Sequence, residues 1–270
     1  DPDGNDAYRL TVNLKKFNDQ IKDTKFSLPL VEDVLSNLHG AEIFSSLDVK
    51  QAYHQISLDE ESQWLLAFQI DGRPKVCFQT LPMGLKNSSA AYLRLMSMMF
   101  SDLQYCTVNV FVDDLIIFSK DERKHLEDLE EVLKRFAERN MMLNGRKALI
   151  AKTQVPFVGF LVGTDGIKLI PKKVDVIRNL NAPKDKKKVQ QFLGMVQYYR
   201  RHIKNHSRIC APLYELTGKN PFKWEEKHQT AFETLKHALT SEPILQFPDW
   251  NAPFKLMTDA CQNGIGMVLA

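Results

Sequence analysis

Two adjacent acids, Asp113 and Asp114, stand between two apolar runs, Thr107-Val108-Asn109-Val110-Phe111-Val112 and Leu115-Ile116-Ile117-Phe118. An acid pair between strands ordinarily just makes the turn. Here Phe111-Val112 and Leu115-Ile116 press right up to it. Adjacent like charges beside a core are costly unless a cation joins them. Asp48 supplies a third carboxylate at the end of a run of similar character, Ile43-Phe44-Ser45-Ser46-Leu47. If those two strands are neighbours, three carboxylates converge at one sheet edge. Oxygen donors without Cys or His suit Mg²⁺. Two such ions about 3.5–4 Å apart clamp the attacking and leaving oxygens of a phosphoryl transfer. From spacing alone, the turn and the metal site both stay open.

The elements that must position these acids read as a mixture of short strands and helices. Tyr8 to Leu14 alternates as a half-buried strand does. Pro29 to His39 carries Leu30, Val34, Leu35 and Leu38 at helical spacing and is stopped by Gly40. Ala41 to Val49 reads as a strand, and Leu65–Ile70 with Lys75–Thr80 flank Asp71-Gly72 as a hairpin. Ser89 to Phe100 reads as a buried helix. Ser119 with Glu122 has the form of a capping box, opening a helix with Leu126, Leu129, Leu133 and Phe136 on its inner face. Val155–Val162 and Ile167–Ile170 bracket Gly163-Thr164-Asp165-Gly166 as another hairpin. A basic helix from Pro183 turns Val189, Phe192, Leu193 and Val196 inward. Trp224 to Thr240 is a further helix, Phe254 to Thr258 a strand ending at Asp259, and Gly264 begins another. Hairpins in this number argue for an α+β fold with antiparallel pairing rather than a doubly wound parallel sheet.

The chain has 270 residues, 44% hydrophobic, enough for one large domain or two to three smaller ones. Net charge is +3, but Pro171 to Arg208 holds eleven Lys/Arg and two acids, a local +9 against −6 for the remainder. Such a block is either a solvated helix face or a surface that meets a polyanion. The four cysteines, Cys77, Cys106, Cys210 and Cys261, are too sparse for a disulfide framework and lack metal-ligand spacing. No run of about 18 apolar residues occurs, so no membrane contact is expected. The sequence starts at Asp1 without a leader pattern; both ends look cut, as in a piece of a longer polyprotein.

Four segments in fixed order carry a family resemblance across essentially the whole chain. Leu47-Asp48-Val49-Lys50-Gln51-Ala52-Tyr53-His54-Gln55-Ile56 resembles the first catalytic motif of reverse transcriptases. Leu81-Pro82-Met83-Gly84-Leu85-Lys86-Asn87-Ser88 resembles their second. Phe111-Val112-Asp113-Asp114 resembles the paired-aspartate motif, and Phe157-Val158-Gly159-Phe160 the primer-grip hairpin. The nearest likeness is to gypsy-type long-terminal-repeat retrotransposons, shared by Gln191-Phe192-Leu193-Gly194, Tyr198-Tyr199-Arg200-Arg201 and Pro221-Phe222-Lys223-Trp224.

The resemblance implies a right-hand polymerase of fingers, palm and thumb with an antiparallel palm sheet, then a connection region and the start of a ribonuclease H-like domain. The expected divisions are 1–170 for fingers and palm with the primer grip, 171–250 for thumb and connection, and 251–270 for the incomplete ribonuclease H-like part. The implied activity is RNA- and DNA-templated DNA synthesis. Asp48, Asp113 and Asp114 would hold two Mg²⁺ ions, with Mn²⁺ as the alternative. Arg9, Gln51, Ala52, Tyr53, Met83 and Gly84 would bind the incoming deoxynucleoside triphosphate, the Tyr53 ring excluding a 2′-hydroxyl. Lys147 lies near where relatives carry a lysine that protonates pyrophosphate. Lys186, Lys187, Lys188, Arg200, Arg201 and Lys204 would face the backbone of an RNA or DNA template with its primer. Asp259 matches the first ribonuclease H carboxylate, and the other acids of that site are not in the chain. Further ribonuclease H and integrase domains are expected in the parent polyprotein, acting inside the cell in a cytoplasmic virus-like particle.

The chain departs from the family pattern in places. Phe111 stands where Tyr is usual, Asn13 where Asp is usual, and Ser88-Ser89-Ala90-Ala91-Tyr92-Leu93 where Ala-Pro-Ala-Thr-Phe-Gln is typical. A decayed, merely nucleic-acid-binding remnant is the alternative reading, and a metal-dependent nuclease a third. No Lys or His adjoins Asp113-Asp114 in sequence as a general base for the latter. His202 and His206, four residues apart, read as helix-surface residues.

Overall fold

The computed structural model describes residues 11–269 apart from 25, 28, 220, 242, 262 and 263, and no side chains of 259–266 and 268–269. The chain opens with two short helices, α1 (Lys15–Asn18) and α2 (Val31–Ser36), then β1 (Ile43–Asp48). Helix α3 (Glu60–Leu65) and the small hairpin β2 (Phe68–Gln69) and β3 (Lys75–Val76) precede α4 (Ser88–Phe100). Strands β4 (Val108–Phe111) and β5 (Asp114–Ser119) lead into α5 (Glu122–Glu138) and β6 (Leu149–Lys152). A second sheet follows in β7 (Gln154–Phe157), β8 (Phe160–Gly163) and β9 (Gly166–Leu169). Four helices come next: α6 (Pro171–Arg178), α7 (Lys186–Tyr198), α8 (His206–Glu215) and α9 (Glu226–Thr240). The last described elements are β10 (Leu256–Cys261) and β11 (Gly264–Leu269).

The main sheet runs in the order β4-β5-β1-β6, antiparallel at every pairing. Side chains alternate between its faces, and both faces are covered. Leu47, Leu115 and Ile117 pack with Tyr92, Met96 and Phe100 of α4 and Val132 and Phe136 of α5. Phe44, Ile116 and Phe118 pack on the other side with Val34 and Leu35 of α2 and with Val155, Phe157 and Val162 of the second sheet. A strand buried on both faces needs apolar residues at successive positions rather than every second one, which is why the runs beside the acid pair are nearly continuous; Asn109, the buried exception in β4, donates to Val34 O at 2.6 Å. Fully burying each such side chain contributes about 1.5–3 kcal/mol. The helices α6 to α9 extend the second core through Ile177, Val189, Phe192, Leu213, Phe232 and Leu235.

After α9 the chain returns to the second sheet. Leu245 and Ile167 exchange both backbone hydrogen bonds, at 2.8 and 3.0 Å, so Leu245 extends the edge of β9. Gln246 Nε2 donates to Asp165 O at 3.1 Å, and Trp250 Nε1 donates to Ser36 O at 3.2 Å. Gly166, at φ 123°, is what admits this strap, because a Cβ there would collide with Leu245 O.

Several expectations need correction. Thr11 to Leu14, the described part of the proposed first strand, is not strand; α1 begins at Lys15 instead. The cap of α5 is Asp121, whose carboxylate accepts from Lys124 N at 2.9 Å, and Ser119 belongs to β5. The inner face of α5 is His125, Asp128, Val132 and Phe136, while Leu126 is 66% exposed and Leu133 43%. Phe136 is buried and Leu129 packs against the core as expected, but the rest of the stripe differs because it contains a histidine and an acid that share the Ser119 hydroxyl of β5. The proposed hairpin strands 65–70 and 75–80 shrink to two residues each, with Leu65 ending α3. Trp224 precedes α9, and α6, α8 and β6 were not expected at all. His202 is 8% exposed and sits in a 3₁₀ turn ahead of α8, so it and His206 do not share one helix.

Candidate active site

The site begins with strand register. β1 and β5 pair residue for residue from Ile43↔Ser119 to Leu47↔Leu115, which brings Asp48 directly opposite Asp114. Asp113 is the second residue of the two-residue β4–β5 turn, between Phe111 and Asp114. The first, Val112, has φ 51°. Positive φ at that place is the pattern of a turn that favours glycine, and a β-branched residue there is strained by about 1–3 kcal/mol. The strain sits directly beside the acids.

The electrostatics follow from crowding. Loss of hydration raises the Asp113 carboxyl first, and the charges of Asp114 and Asp48 push it further. Asp114 is raised chiefly by loss of hydration and also by Asp48, against lowering by the Val158 backbone N–H and by Lys147. Beneath them lies Tyr92, fully buried, its hydroxyl without a hydrogen-bond partner among the described residues. Burial raises the pKa of that hydroxyl, and Asp113, Tyr53, Asp48 and Asp114 add to the shift.

Lys147, well separated from Asp48 in sequence, reaches it in space. Its Nζ lies 3.2 Å from Asp48 Oδ1 and 3.3 Å from Oδ2. The loop that carries it is pinned: Lys50 N donates to Met142 O at 3.0 Å, and Asn144 N to Asp48 O at 2.8 Å. The Gln55 amide brackets Met142, donating to its carbonyl at 2.9 Å and accepting from its N–H at 2.6 Å. A basic group that does not adjoin Asp113-Asp114 in sequence is therefore brought to the carboxylates by the fold.

Gln51 has φ 50° and leads into a 3₁₀ turn, Ala52–Gln55. In that turn Tyr53 meets Tyr92 edge-on at 5.6 Å and places its hydroxyl 3.3 Å from Ser89 Oγ. Ala52 is buried and Gln51 exposed. Met83 and Gly84 are exposed in the loop before α4. Asn18 holds that loop, donating to Gly84 O at 2.9 Å and accepting from Lys86 N at 2.8 Å.

Phe157-Val158-Gly159-Phe160 forms the β7–β8 turn, with φ 45° at Val158 and 76° at Gly159. Positive φ at both central residues closes a tight hairpin. Tyr198 donates its hydroxyl to Val158 O and stacks on Phe160 at 5.2 Å. A Cβ on Gly159 would come within 3.1 Å of that hydroxyl. Tyr198 belongs to a segment that carries the family resemblance, but the sequence does not reveal that it braces this turn.

The basic residues do not form one surface on one helix. Lys186, Lys187 and Lys188 open α7, whereas Arg200, Arg201 and Lys204 follow its far end in a 3₁₀ turn and loop. Lys186 donates to Gly218 O at 2.7 Å, and Arg200 stands 3.5 Å from Glu32. Arg9 and the Asp259 side chain lie outside the described residues; the backbone of Asp259 pairs with Gly266.

Among the described residues, no three His, Cys, Asp or Glu groups close into a set that could hold a metal ion as they stand. The donor chemistry nevertheless fits a hard divalent cation. The acidic donors at this sheet end are carboxylate oxygens, Asp113 and Asp114 are held above their usual range, and an ammonium group already contacts Asp48.

The model of the reverse transcriptase (RNA-dependent DNA polymerase) family matches residues 2–162. That of the RNase H-like domain found in reverse transcriptase matches residues 224–270. The retrovirus-related Pol polyprotein from transposon gypsy of Drosophila melanogaster is 35% identical over 99% of this chain and 27% of its own length. The polyprotein from transposon 412 of the same organism is 34% identical over 97% of this chain and 21% of its own. The chain thus spans roughly a quarter of the curated relatives it matches. Among solved structures, the foamy viral protease-reverse transcriptase dRH in complex with double-stranded DNA superposes with a TM-score of 0.86 at 25% identity, over 94% of this chain and 45% of that one. The same enzyme with an RNA/DNA hybrid gives a TM-score of 0.83 at 23% identity, over 97% of this chain and 38% of that one, and shows the fold alone. The mixed helical and antiparallel architecture is accordingly the right-hand polymerase fold, and the chain belongs to the reverse transcriptase (RNA-dependent DNA polymerase) family, among those of gypsy-type retrotransposons.

Proposed function

We propose that this chain is the polymerase part of a retrotransposon polyprotein and adds deoxynucleotides to a primer 3′-hydroxyl on RNA or DNA templates. The observation that carries the reading is the cross-strand pairing of Asp48 with Asp114, one residue from Asp113. Asp48 and Asp113, assisted by Asp114, would hold two divalent ions, Mg²⁺ with Mn²⁺ as the alternative. Bound there, such ions lower the pKa of the primer hydroxyl and stabilise charge on the phosphoryl group and the departing pyrophosphate.

The remaining work falls to the chain itself, as positioning and charge stabilisation. The Tyr53 ring, braced by Tyr92, bars the 2′-hydroxyl of a ribonucleotide. Gln51 and Ala52 offer backbone N–H groups to the triphosphate, Arg9 a guanidinium fork, and Met83 and Gly84 line the nucleotide pocket. Phe157 to Phe160, buttressed by Tyr198, holds the primer end. Lys147, whose ammonium contacts Asp48, would give a proton to the pyrophosphate. The two basic clusters around α7 grip the duplex backbone without regard to sequence. The foamy viral neighbour solved with double-stranded DNA supports such a partner.

Residues 1–170 then act as fingers and palm, 171–250 as thumb and connection, and 251–270 as the first piece of a ribonuclease H-like domain, its first carboxylate being Asp259. The parent polyprotein would work in a cytoplasmic virus-like particle.

Primer extension on an RNA template with Mg²⁺ and deoxynucleotides tests the reading. The unmodified chain extends the primer. Asp48→Ala and Asp113→Ala each lose at least about a thousandfold in rate while still binding primer, in line with removing a charge-stabilising group from a phosphoryl-transfer site. Extension by the Asp113→Ala protein at the unmodified rate would sink the assignment.

A further inference from the structure

The loop that carries Lys147 is joined to the end of β1 by a short antiparallel pairing that one side chain completes. Val49 bridges Leu143, with Lys50 N donating to Met142 O at 3.0 Å and Asn144 N to Asp48 O at 2.8 Å. In an unbroken ladder of this register Lys50 and Met142 would exchange both backbone bonds, and Met142 N–H would donate to Lys50 O. The Gln55 carboxamide is inserted in place of that rung. Met142 N donates to Gln55 Oε1 at 2.6 Å, and Gln55 Nε2 donates to Lys50 O. Nε2 also donates to Met142 O at 2.9 Å. Both hydrogens and the oxygen of one side-chain amide are thus spent on two backbone positions.

Gln55 is half-buried and closes the 3₁₀ turn that presents Tyr53. Beyond the pairing the chain makes a single turn, in which Lys147 N and Ala148 N both donate to Asn144 O at 3.1 Å. The Lys147 side chain is 65% exposed. Where its ammonium can reach is therefore set by the backbone turn beneath it, and that turn starts from Asn144, two residues after the position Gln55 holds.

We infer that Gln55 is a positioning residue for Lys147: its carboxamide fixes the loop 141–148 on the strand end that carries Asp48, and so holds the ammonium within reach of the Asp48 carboxylate. What Lys147 does there rests on the polymerase reading above; where it is held rests on these hydrogen bonds alone. Proton transfer needs its donor within hydrogen-bond reach, and displacement by about 1 Å can cost up to about a hundredfold in rate. A glutamate at this position could still accept from Met142 N but has no hydrogen for Lys50 O or Met142 O, and a methionine of similar length offers no donor and only a weak acceptor.

Gln55→Met removes the inserted rung, and two measurements read the result. In hydrogen exchange on the metal-free chain, Met142 and Asn144 N–H exchange at least about tenfold faster in the variant, as for a locally released loop, while the β1–β5 amides keep their protection. In single-turnover primer extension at saturating nucleotide, Gln55→Met slows the reaction about tenfold and Lys147→Ala about a hundredfold. The double variant stays near about a hundredfold, instead of the about thousandfold of independent effects. Gln55→Glu, which keeps the acceptor, falls between Gln55→Met and the unmodified chain in both measurements. Unchanged exchange at Asn144 in folded Gln55→Met overturns the anchoring role, whether or not the chain extends primers, and so does loss of β1–β5 protection along with it. Multiplicative losses in the double variant overturn the assignment to Lys147. Failure of the unmodified chain to extend any primer removes the polymerase reading instead, and the exchange rates still decide whether Gln55 holds the loop.

Discussion

Lys147 Nζ sits between the two carboxylate oxygens of Asp48, 3.2 and 3.3 Å from them, although 99 positions separate the residues. The lysine is 65% exposed and the aspartate 35%, so the pair is screened by water and contributes little stability. A contact that weak can exchange partners when a stronger cation or a phosphate arrives. Lys147→Ala is therefore expected to leave the melting temperature unchanged and to slow primer extension by about a hundredfold, the lower end for losing a general acid. Single-turnover kinetics with a separate primer-affinity measurement check this; a fall in primer affinity with an unchanged rate would assign Lys147 to binding instead.

Tyr53 owes its place to Tyr92 behind it and to Ser89 at its hydroxyl. Tyr53→Ala removes the ring while the 3₁₀ turn, held by backbone bonds, remains. Ribonucleotide incorporation is expected to rise by about a hundredfold relative to deoxynucleotide incorporation, the scale of a purely steric discrimination. Competition between the two nucleotide types at one template position measures it.

A buried polar chain ties three strands to α5. Ala151 N donates to Ser45 Oγ at 2.9 Å, and Ser45 Oγ lies 2.7 Å from His125 Nε2. His125 Nδ1 lies 3.1 Å from Ser119 Oγ, which donates to Asp128 Oδ2 at 2.8 Å, and Lys124 caps the chain at Asp128 Oδ1. Ser119 spends its hydrogen on Asp128, so it accepts from Nδ1–H, and Nε2 accepts from Ser45. Burial favours this neutral form of His125. Burial lowers its pKa, against a smaller raising by Asp128. The unfolded chain then binds more protons than the folded one as pH falls below about 6.5, and stability is lost in that direction. His202 and His206 shift in the same sense. Urea midpoints measured from pH 7.5 to 5.0 should fall, and His125→Gln should reduce the slope without abolishing it. An unchanged slope in that variant would remove His125 from the account.

Gly166 leaves no room for a side chain, since a Cβ there would lie 2.3 Å from Leu245 O. With φ 123° and Leu245 O against it, a side chain there meets both strain and collision. Gly166→Ala is expected to cost about 3 kcal/mol or more, combining an incompatible φ with a displaced strap. Hydrogen exchange should show Leu245 N–H losing protection while the β1–β5 pairing keeps its own.

Much was legible in residue order. The acid pair inside nearly continuous apolar runs, the tight-turn signals and the four ordered motifs depend on local chemistry, which the linear chain carries in full. The inward set Val189, Phe192, Leu193 and Val196 of α7 could be read because apolar residues alone line that face. The stripe of α5 could not, since His125 and Asp128 are buried only because Ser45 and Ser119 wait for them on neighbouring strands. Register is the other thing that tertiary structure alone decided. A shift of one residue between β1 and β5 would turn Asp48 to the opposite face from Asp114, and nothing local to either strand sets that match. It is fixed by the two cores gripping alternate residues of both strands at once. The same packing delivers Lys147 to Asp48, a contact that arises only where distant segments close on one another.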